Sequence, residues 1–357
     1  MNNLRLILCA ATVTLVANAE ARILRVNRTM PYANCANAST CFSDLALAVA
    51  SSLSGDTIHI EASILPYTDP GQVLQIDQHP LVLIGPGYKL WIGTNDNLEL
   101  QANTRTAVVQ RMLITGLASG TVICGLDFSN PGGGGGAGLQ IAGVSNITIR
   151  RNYFAGACPI SFSGLNGDVC DSILVAGNYI DSDIRQIGAY DNVITNLVIR
   201  NNYFSGLPFD LNDLGDDITG LMILNNTFGY AGSNEVAVRD AIVEYNVFRN
   251  LDVPGAANNV VSYNLYDTGI SFPSGMGNLP VSSWPVPTTA TDDGRWDFPA
   301  HPTYAPVGAD AYGMYGGADA YHLSGIPPIP TIYQLSSTVT TTPGGNVQVT
   351  LSTRSNN

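Results

Sequence analysis

One eight-residue pattern recurs six times between residues 141 and 266, each copy centred on an asparagine. Leu197-Val-Ile-Arg-Asn-Asn202-Tyr-Phe204 is typical, and the others occupy 147–154, 173–180, 221–228, 241–248 and 259–266. The anchors Asn152, Asn178, Asn202, Asn226, Asn246 and Asn264 lie 26, 24, 24, 20 and 18 residues apart. A period of that size marks a solenoid, because one repeat cannot bury its apolar face alone and stacking supplies the core.

Two solenoids fit the spacing. Apolar residues eight, five and three places before each asparagine and two after it match the leucine-rich pattern formally. The slots, however, hold Val144, Ile149, Val175, Ile194, Ile199 and Ile223, and β-branched side chains favour short strands. The linkers 181–191 and 208–217 are rich in Asp and Gly and show no amphipathic helical face. The spacing therefore predicts an all-β chain wound as a parallel β-helix. Strand alternation turns positions minus five and minus three inward and minus four and minus two outward. The asparagines then stack inside a turn, with Phe154, Phe204, Phe228 and Phe248 beside them. Leu126 takes the asparagine slot one coil earlier, so the ladder starts at Asn152.

The flanks read as lead-in and tail. Residues 1–19 have the charge, short apolar run and small-residue exit of an export signal. Residues 20–56 form an N-terminal cap, in which Phe42, Leu45, Ala46, Val49, Ala50 and Leu53 share a helical face. The solenoid spans 57–317, with its period lost after Tyr266, and 318–357 is a linker and strand tail whose two strands, joined through Pro343, read as a terminal hairpin or as a strand pair added to the solenoid.

Besides the repeats, Gly55-Asp-Thr-Ile-His-Ile60, Leu81-Val-Leu-Ile-Gly-Pro-Gly-Tyr88 and Asp310-Ala-Tyr-Gly-Met-Tyr-Gly316 resemble the opening and closing coils of the pectate-lyase-like superfamily. The resemblance runs from about Arg22 to Gly317 and implies a right-handed parallel β-helix, secreted and bacterial in type. The catalytic motifs of the polygalacturonase, pectin-esterase and pectate-lyase branches are not matched.

Fifteen basic residues face 28 acidic ones, for a net charge of −13, and Lys89 is the only lysine. Such a surface repels nucleic acid, whose phosphates require clustered Lys and Arg. It also repels acidic polysaccharide unless a cation bridges the two. No second apolar run is long enough for a membrane span. Cys35 and Cys41 are spaced to close a small loop, whereas Cys124 and Cys170 read as buried thiols.

Two surfaces are candidates for chemistry. Asp168, Asp191 and Asp216 fall ten or eleven residues before an asparagine, so successive coils place carboxylates at nearly one level, with Asp217 adjacent. Carboxylates one coil apart could serve as acid and base in glycoside cleavage, with Asp191, Asp216 and Asp217 as ligands for Ca2+ and Arg239, Arg185 or Arg200 as the base for a lyase. Their plainer reading is as turn formers. Tyr153, Tyr179 and Tyr203 follow their asparagines and face outward, where aromatic faces could stack on sugar rings; their plainer reading is cross-coil packing under a loop. The expectation is an exported protein that binds extracellular polysaccharide, with lyase or glycosidase activity as one arm and a non-catalytic adhesive envelope solenoid as the rival.

Overall fold

The computed structural model describes residues 21–29, 38–90, 100–129, 138–163, 168–187, 193–206, 209–210, 218–229, 234–235, 238–249, 251–252, 258–284, 291–297, 312–317, 319–338 and 348–356. The expected export signal and Cys35 lie outside them.

Each repeat is bent at two places. Asn146, Ser172, Asn196, Gly220, Asp240 and Asn258 stand six residues before the anchors, and Arg151, Gly177, Asn201, Asn225, Tyr245 and Tyr263 stand one before. All twelve have φ between 51° and 69°. Asn, Asp and Gly enter this left-handed region most readily. Between the two corners runs a short strand, and after the anchor a second begins.

Among the described residues the strands gather into three long parallel sheets. Sheet 1 has twelve strands, sheet 2 has eight and sheet 3 has six. One coil runs from Thr148–Arg150 in sheet 1 to Tyr153–Phe154 in sheet 2 and Ile160–Phe162 in sheet 3, then returns to sheet 1 at Val169–Ala176. This is the arrangement of a parallel β solenoid. Parallel pairing reaches back to Ile23–Val26, which joins sheet 1 beside Thr57–Ile60.

The interior follows the alternation. Ile147, Ile173, Leu197 and Leu221 at minus five, and Ile149, Val175, Ile199 and Ile223 at minus three, are buried in one apolar cluster. All six anchor asparagines are fully buried. Asn202 shows why that is tolerable: its Oδ1 accepts from Asn178 N and Nδ2, both at 2.9 Å, and its Nδ2 donates to Val175 O at 2.9 Å and Asn226 Oδ1 at 3.0 Å. Both lone pairs and both amide protons are thus used. Leu126 N donates to Asn152 Oδ1 at 3.0 Å, so the ladder begins where the sequence predicts. Phe128 stacks on Phe154 at 4.7 Å, and Phe204, Phe228 and Phe248 continue the stack beyond Ile180.

Three expectations need correction. The ladder does not stop at Asn264: Asn264 N and Nδ2 donate to Asn278 Oδ1, and Leu279–Val281 adds a strand to sheet 2. The cap helix covers only Leu45–Ser51, because Asp44 caps it by accepting from Leu47 N. Starting there, it buries Leu45 and Ala48 and packs Val49 inward, leaving Ala46, Ala50 and Leu53 exposed. Phe42 instead belongs to the strand Cys41–Phe42. The tail is an antiparallel hairpin of Thr331–Thr338 with Gln348–Arg354, as its pattern suggests. Cys41 is disulfide-bonded, while Cys124, Cys158 and Cys170 are buried thiols. Burial pushes the Cys124 thiol up to about 11.

Candidate functional site

The tyrosine stripe points out of the coil but not into solvent. Asp127, Tyr153, Tyr179 and Tyr203 align in register along sheet 2, and Tyr179 and Tyr203 are only 3% and 1% exposed. Residues 291–297, 312–317 and 319–326 pack into a second apolar cluster with this face. Asp292 Oδ2 accepts from Tyr179 Oη at 2.9 Å and Tyr203 Oη at 3.0 Å, and Asp292 Oδ1 pairs with Arg295. Tyr88 and Tyr321 share a buried hydrogen bond at 2.7 Å, and Tyr321 donates to Asp293. Burial, reinforced by the neighbouring aspartates, pushes the tyrosine pKa values up, so these phenols stay protonated donors. Tyr179 and Tyr203 therefore offer no open ring face to a sugar. The cause is a strap from the chain's own C-terminal part, held further by Asp319 to Arg150 and Arg200 and by Arg151 Nη1 to Ile326 O. Tyr153 is half-buried at the end of the row, with Lys89 Nζ 5.0 Å from its ring centroid and 3.5 Å from that of Tyr179.

Of the acidic row, Asp191, Asp216 and Asp217 lie outside the described residues. Asp168 is half-buried and packs near Gly143, and Arg239 is half-buried. Beside them, Asp171 accepts from Thr195 Oγ1, from Asn196 Nδ2 at 2.8 Å and from Ser172 Oγ at 2.8 Å, bonds that lower its pKa. On the outer face of sheet 3, Gln140, Ser161 and Arg185 are in register, the Arg185 backbone pairs with that of Asp210, and Arg185 lies 3.8 Å from Asp183. Among the described residues no group of three or more His, Cys, Asp or Glu is placed to hold a metal ion.

A groove of about 710 Å³ that the sequence does not reveal opens between the first coils and the hairpin. Its walls carry His59, Glu61, Gln101, Asn103, Thr104 and Arg105 alongside Pro86, Pro327, Pro330, Ile332 and Leu335. His59 and Glu61 project from the strand Thr57–Ile60 and the residue after it, beside Arg25. Glu61 is committed: Oε1 accepts from Arg25 Nε at 2.8 Å and Oε2 from Asn27 Nδ2 at 3.0 Å. The His59 ring has no hydrogen-bond partner among the described residues, and burial lowers its pKa, with Glu61 opposing and Arg25 assisting. The lowered pKa favours the neutral imidazole at neutral pH, with one donor and one acceptor for a ligand. The hairpin is pinned over the groove by Ala102 N to Ile332 O at 2.8 Å and Arg354 Nη2 to Leu100 O at 2.7 Å.

A second histidine contact has a structural explanation. Ser52 Oγ donates to Val49 O at 2.6 Å at the end of the cap helix and lies 3.0 Å from His79 Nε2. The serine is buried and its proton is committed, so the pair closes a helix rather than forming a nucleophile and base. No helix among the described residues is long and apolar enough to cross a membrane. Compared with protein-family models, with curated proteins and with solved structures, the chain gives no match.

Proposed function

We propose that this chain is an exported right-handed parallel β-helix of pectate-lyase-like type that binds extracellular polysaccharide in the groove between its first coils and its hairpin. The observation that carries the reading is the groove itself. It joins prolines and aliphatic side chains, which suit sugar C–H faces, to a neutral imidazole, two amides and an exposed guanidinium, which suit hydroxyls. Glu61 is locked to Arg25, so the described groove lacks an acid and base pair, which favours binding over cleavage there. Cleavage is the second arm of the reading and belongs to Asp168, Asp191, Asp216, Asp217 and Arg239, with Ca2+ as the bridging cation.

The test is affinity electrophoresis of the mature chain through neutral and acidic polysaccharides, with and without Ca2+, followed by product analysis. His59→Ala combined with Arg105→Ala is expected to weaken retention at least tenfold on whichever polysaccharide the native chain binds. Unchanged retention removes the groove from the reading. Product release that disappears in Asp216→Asn with Asp217→Asn assigns the acidic row to cleavage, with unsaturated ends marking a lyase and saturated ends a hydrolase. Absence of retention and product across the panel leaves the adhesive solenoid as the reading.

A further inference from the structure

The outer face of sheet 1 carries one column with no charge. Ile23, Thr57, Val82, Val122, Thr148, Leu174, Val198, Met222, Ile242 and Val260 are partners in strict register, strand after strand. At the usual strand spacing the column is about 43 Å long. None of the ten is buried, and at its far end Met222, Ile242 and Val260 are 37%, 37% and 58% exposed. Parallel sheets are ordinarily covered on both faces, and an open apolar run of this length marks a contact surface.

The two margins of the column differ from its floor. On one side Asn146, Asn196, Asp240 and Asn258, the left-handed corners, stand exposed. On the other side are Arg150 and Arg200, bridged by Asp319 of the strap. The floor is therefore an apolar strip between polar edges. At its N-terminal end the column shares a strand with the groove, since Thr57 and His59 lie two residues apart on one face of Thr57–Ile60.

We propose that this column is a docking track for a neutral, extended polysaccharide ribbon, continuing the groove along the solenoid. Equatorially linked neutral sugars present C–H groups on their faces and hydroxyls along their edges, which matches a largely aliphatic floor whose margins carry amides, guanidinium groups and the carboxylates of Asp240 and Glu244. A second copy of the chain matches less well, because two bodies of net charge −13 repel. An anionic lipid surface is disfavoured for the same reason. The branched side chains of the floor have few rotamers to lose on contact.

The track rests on the polysaccharide reading above, and the experiment separates the two. The mature chain is mixed with insoluble neutral β-linked glucan and chitin particles and the bound fraction measured, while soluble oligosaccharides from the same polymers are titrated calorimetrically. Met222→Lys with Ile242→Lys is expected to lower particle binding at least tenfold and leave the soluble titration unchanged. His59→Ala with Arg105→Ala is expected to weaken the soluble titration. Met222→Ser with Ile242→Ser, which adds no charge, should show the same particle defect with an unaltered circular dichroism spectrum. Particle binding that survives both track variants overturns the track, as does a native chain that ignores the particles. Self-association in sedimentation, or binding to anionic vesicles, that is lost in the track variants also overturns it by assigning the face to another occupant. Loss of the soluble titration alone concerns the groove and leaves the track standing.

Discussion

Asn202 and Tyr203 are neighbours in sequence, yet they belong to two differently determined parts of the molecule. The asparagine column is bonded to its counterparts 14 to 26 residues away, and from Asn152 to Asn264 each rung is made by the same repeat that needs it. The tyrosine column is covered by residues that arrive about a hundred positions later, with Asp292 reaching Tyr203 across 89 residues and Tyr179 across 113. The inward column thus depends on periodicity, while the outward one depends on a separate segment finding its seat. The first should behave as the body of the fold, and the second as a covering that can be released without unwinding it.

Asn202→Leu is the strongest way to break the ladder. It strips partners from Val175 O, Asn178 N, Asn178 Nδ2 and Asn226 Oδ1 in a fully buried turn. At roughly 1–3 kcal/mol for each buried group left unpaired, and with partial relaxation, a loss of about 3–5 kcal/mol is expected. Urea unfolding followed by far-ultraviolet circular dichroism measures it. A loss below about 1 kcal/mol would show that the rungs are interchangeable with apolar packing.

Asp292→Ala should act on the covering alone. It removes the acceptor shared by two tyrosine hydroxyls and the partner of Arg295, for a cost of about 2 kcal/mol. Buried Trp296, which packs edge-on to Trp284 at 5.8 Å, reports on the strap. The expected outcome is a tryptophan fluorescence transition at lower urea than the dichroism transition, with new proteolytic cuts in 291–326. Coincident transitions would mean that strap and solenoid unfold as one unit and that the contrast is false.

A third effect, of intermediate size, lies at the head of the tyrosine column. Asp127 is in register with Tyr153, and burial raises its carboxyl to about 6 despite hydrogen bonds from Ser129 and Thr106 and the charge of Lys89. Its Oδ1 is enclosed without a partner, although the side chain keeps an edge to solvent. A carboxyl whose folded pKa lies above its unfolded value of about 3.9 binds its proton more tightly in the folded state. Its stabilising contribution is complete below about pH 4 and is lost as pH rises through 6. Asp127→Asn should flatten that part of the stability profile. Asp56 runs the other way: hydrogen bonds from Arg22 and Leu53 outweigh burial and lower its pKa, so its contribution is lost as pH falls through that lowered value. A native profile that does not fall between pH 4 and 6 relative to Asp127→Asn contradicts the assignment.

The same contrast explains what could be read beforehand. Asn152 to Asn264, their inward neighbours and the phenylalanine stack follow from spacing because every partner is another copy of the pattern. The corners at Asn196, Gly220 and Asp240 were equally readable, since these residue types tolerate positive φ, but Arg151 and Tyr245 adopt the same turn without such a marker. Asn278 carries no such signal, because its rung comes only 14 residues after Asn264 and lacks the preceding sheet 1 strand that makes a repeat recognisable. Burial of Tyr179 and Tyr203 is not encoded near them, because Asp292 lies 113 and 89 residues away. The groove at His59 depends on Ile332 and Leu335 of a hairpin some 270 residues away, which no local pattern announces.

Asp319→Asn gives the smallest expected effect and the finest test of how the covering is held. Its carboxylate meets Arg150 at 3.4 Å and Arg200 at 3.1 Å, linking two strands of sheet 1 that are two coils apart. All three side chains are about one third exposed, so water and salt screen the pairs and the expected cost is below about 1 kcal/mol. If the strap is held mainly by its tyrosine and aspartate contacts, Asp319→Asn shifts the fluorescence transition slightly, and 0.5 M NaCl removes the difference from the native chain. If the shift instead equals that of Asp292→Ala and resists salt, the two arginines are the principal fastening. The tyrosine column would then be a passive floor beneath a strap anchored on sheet 1.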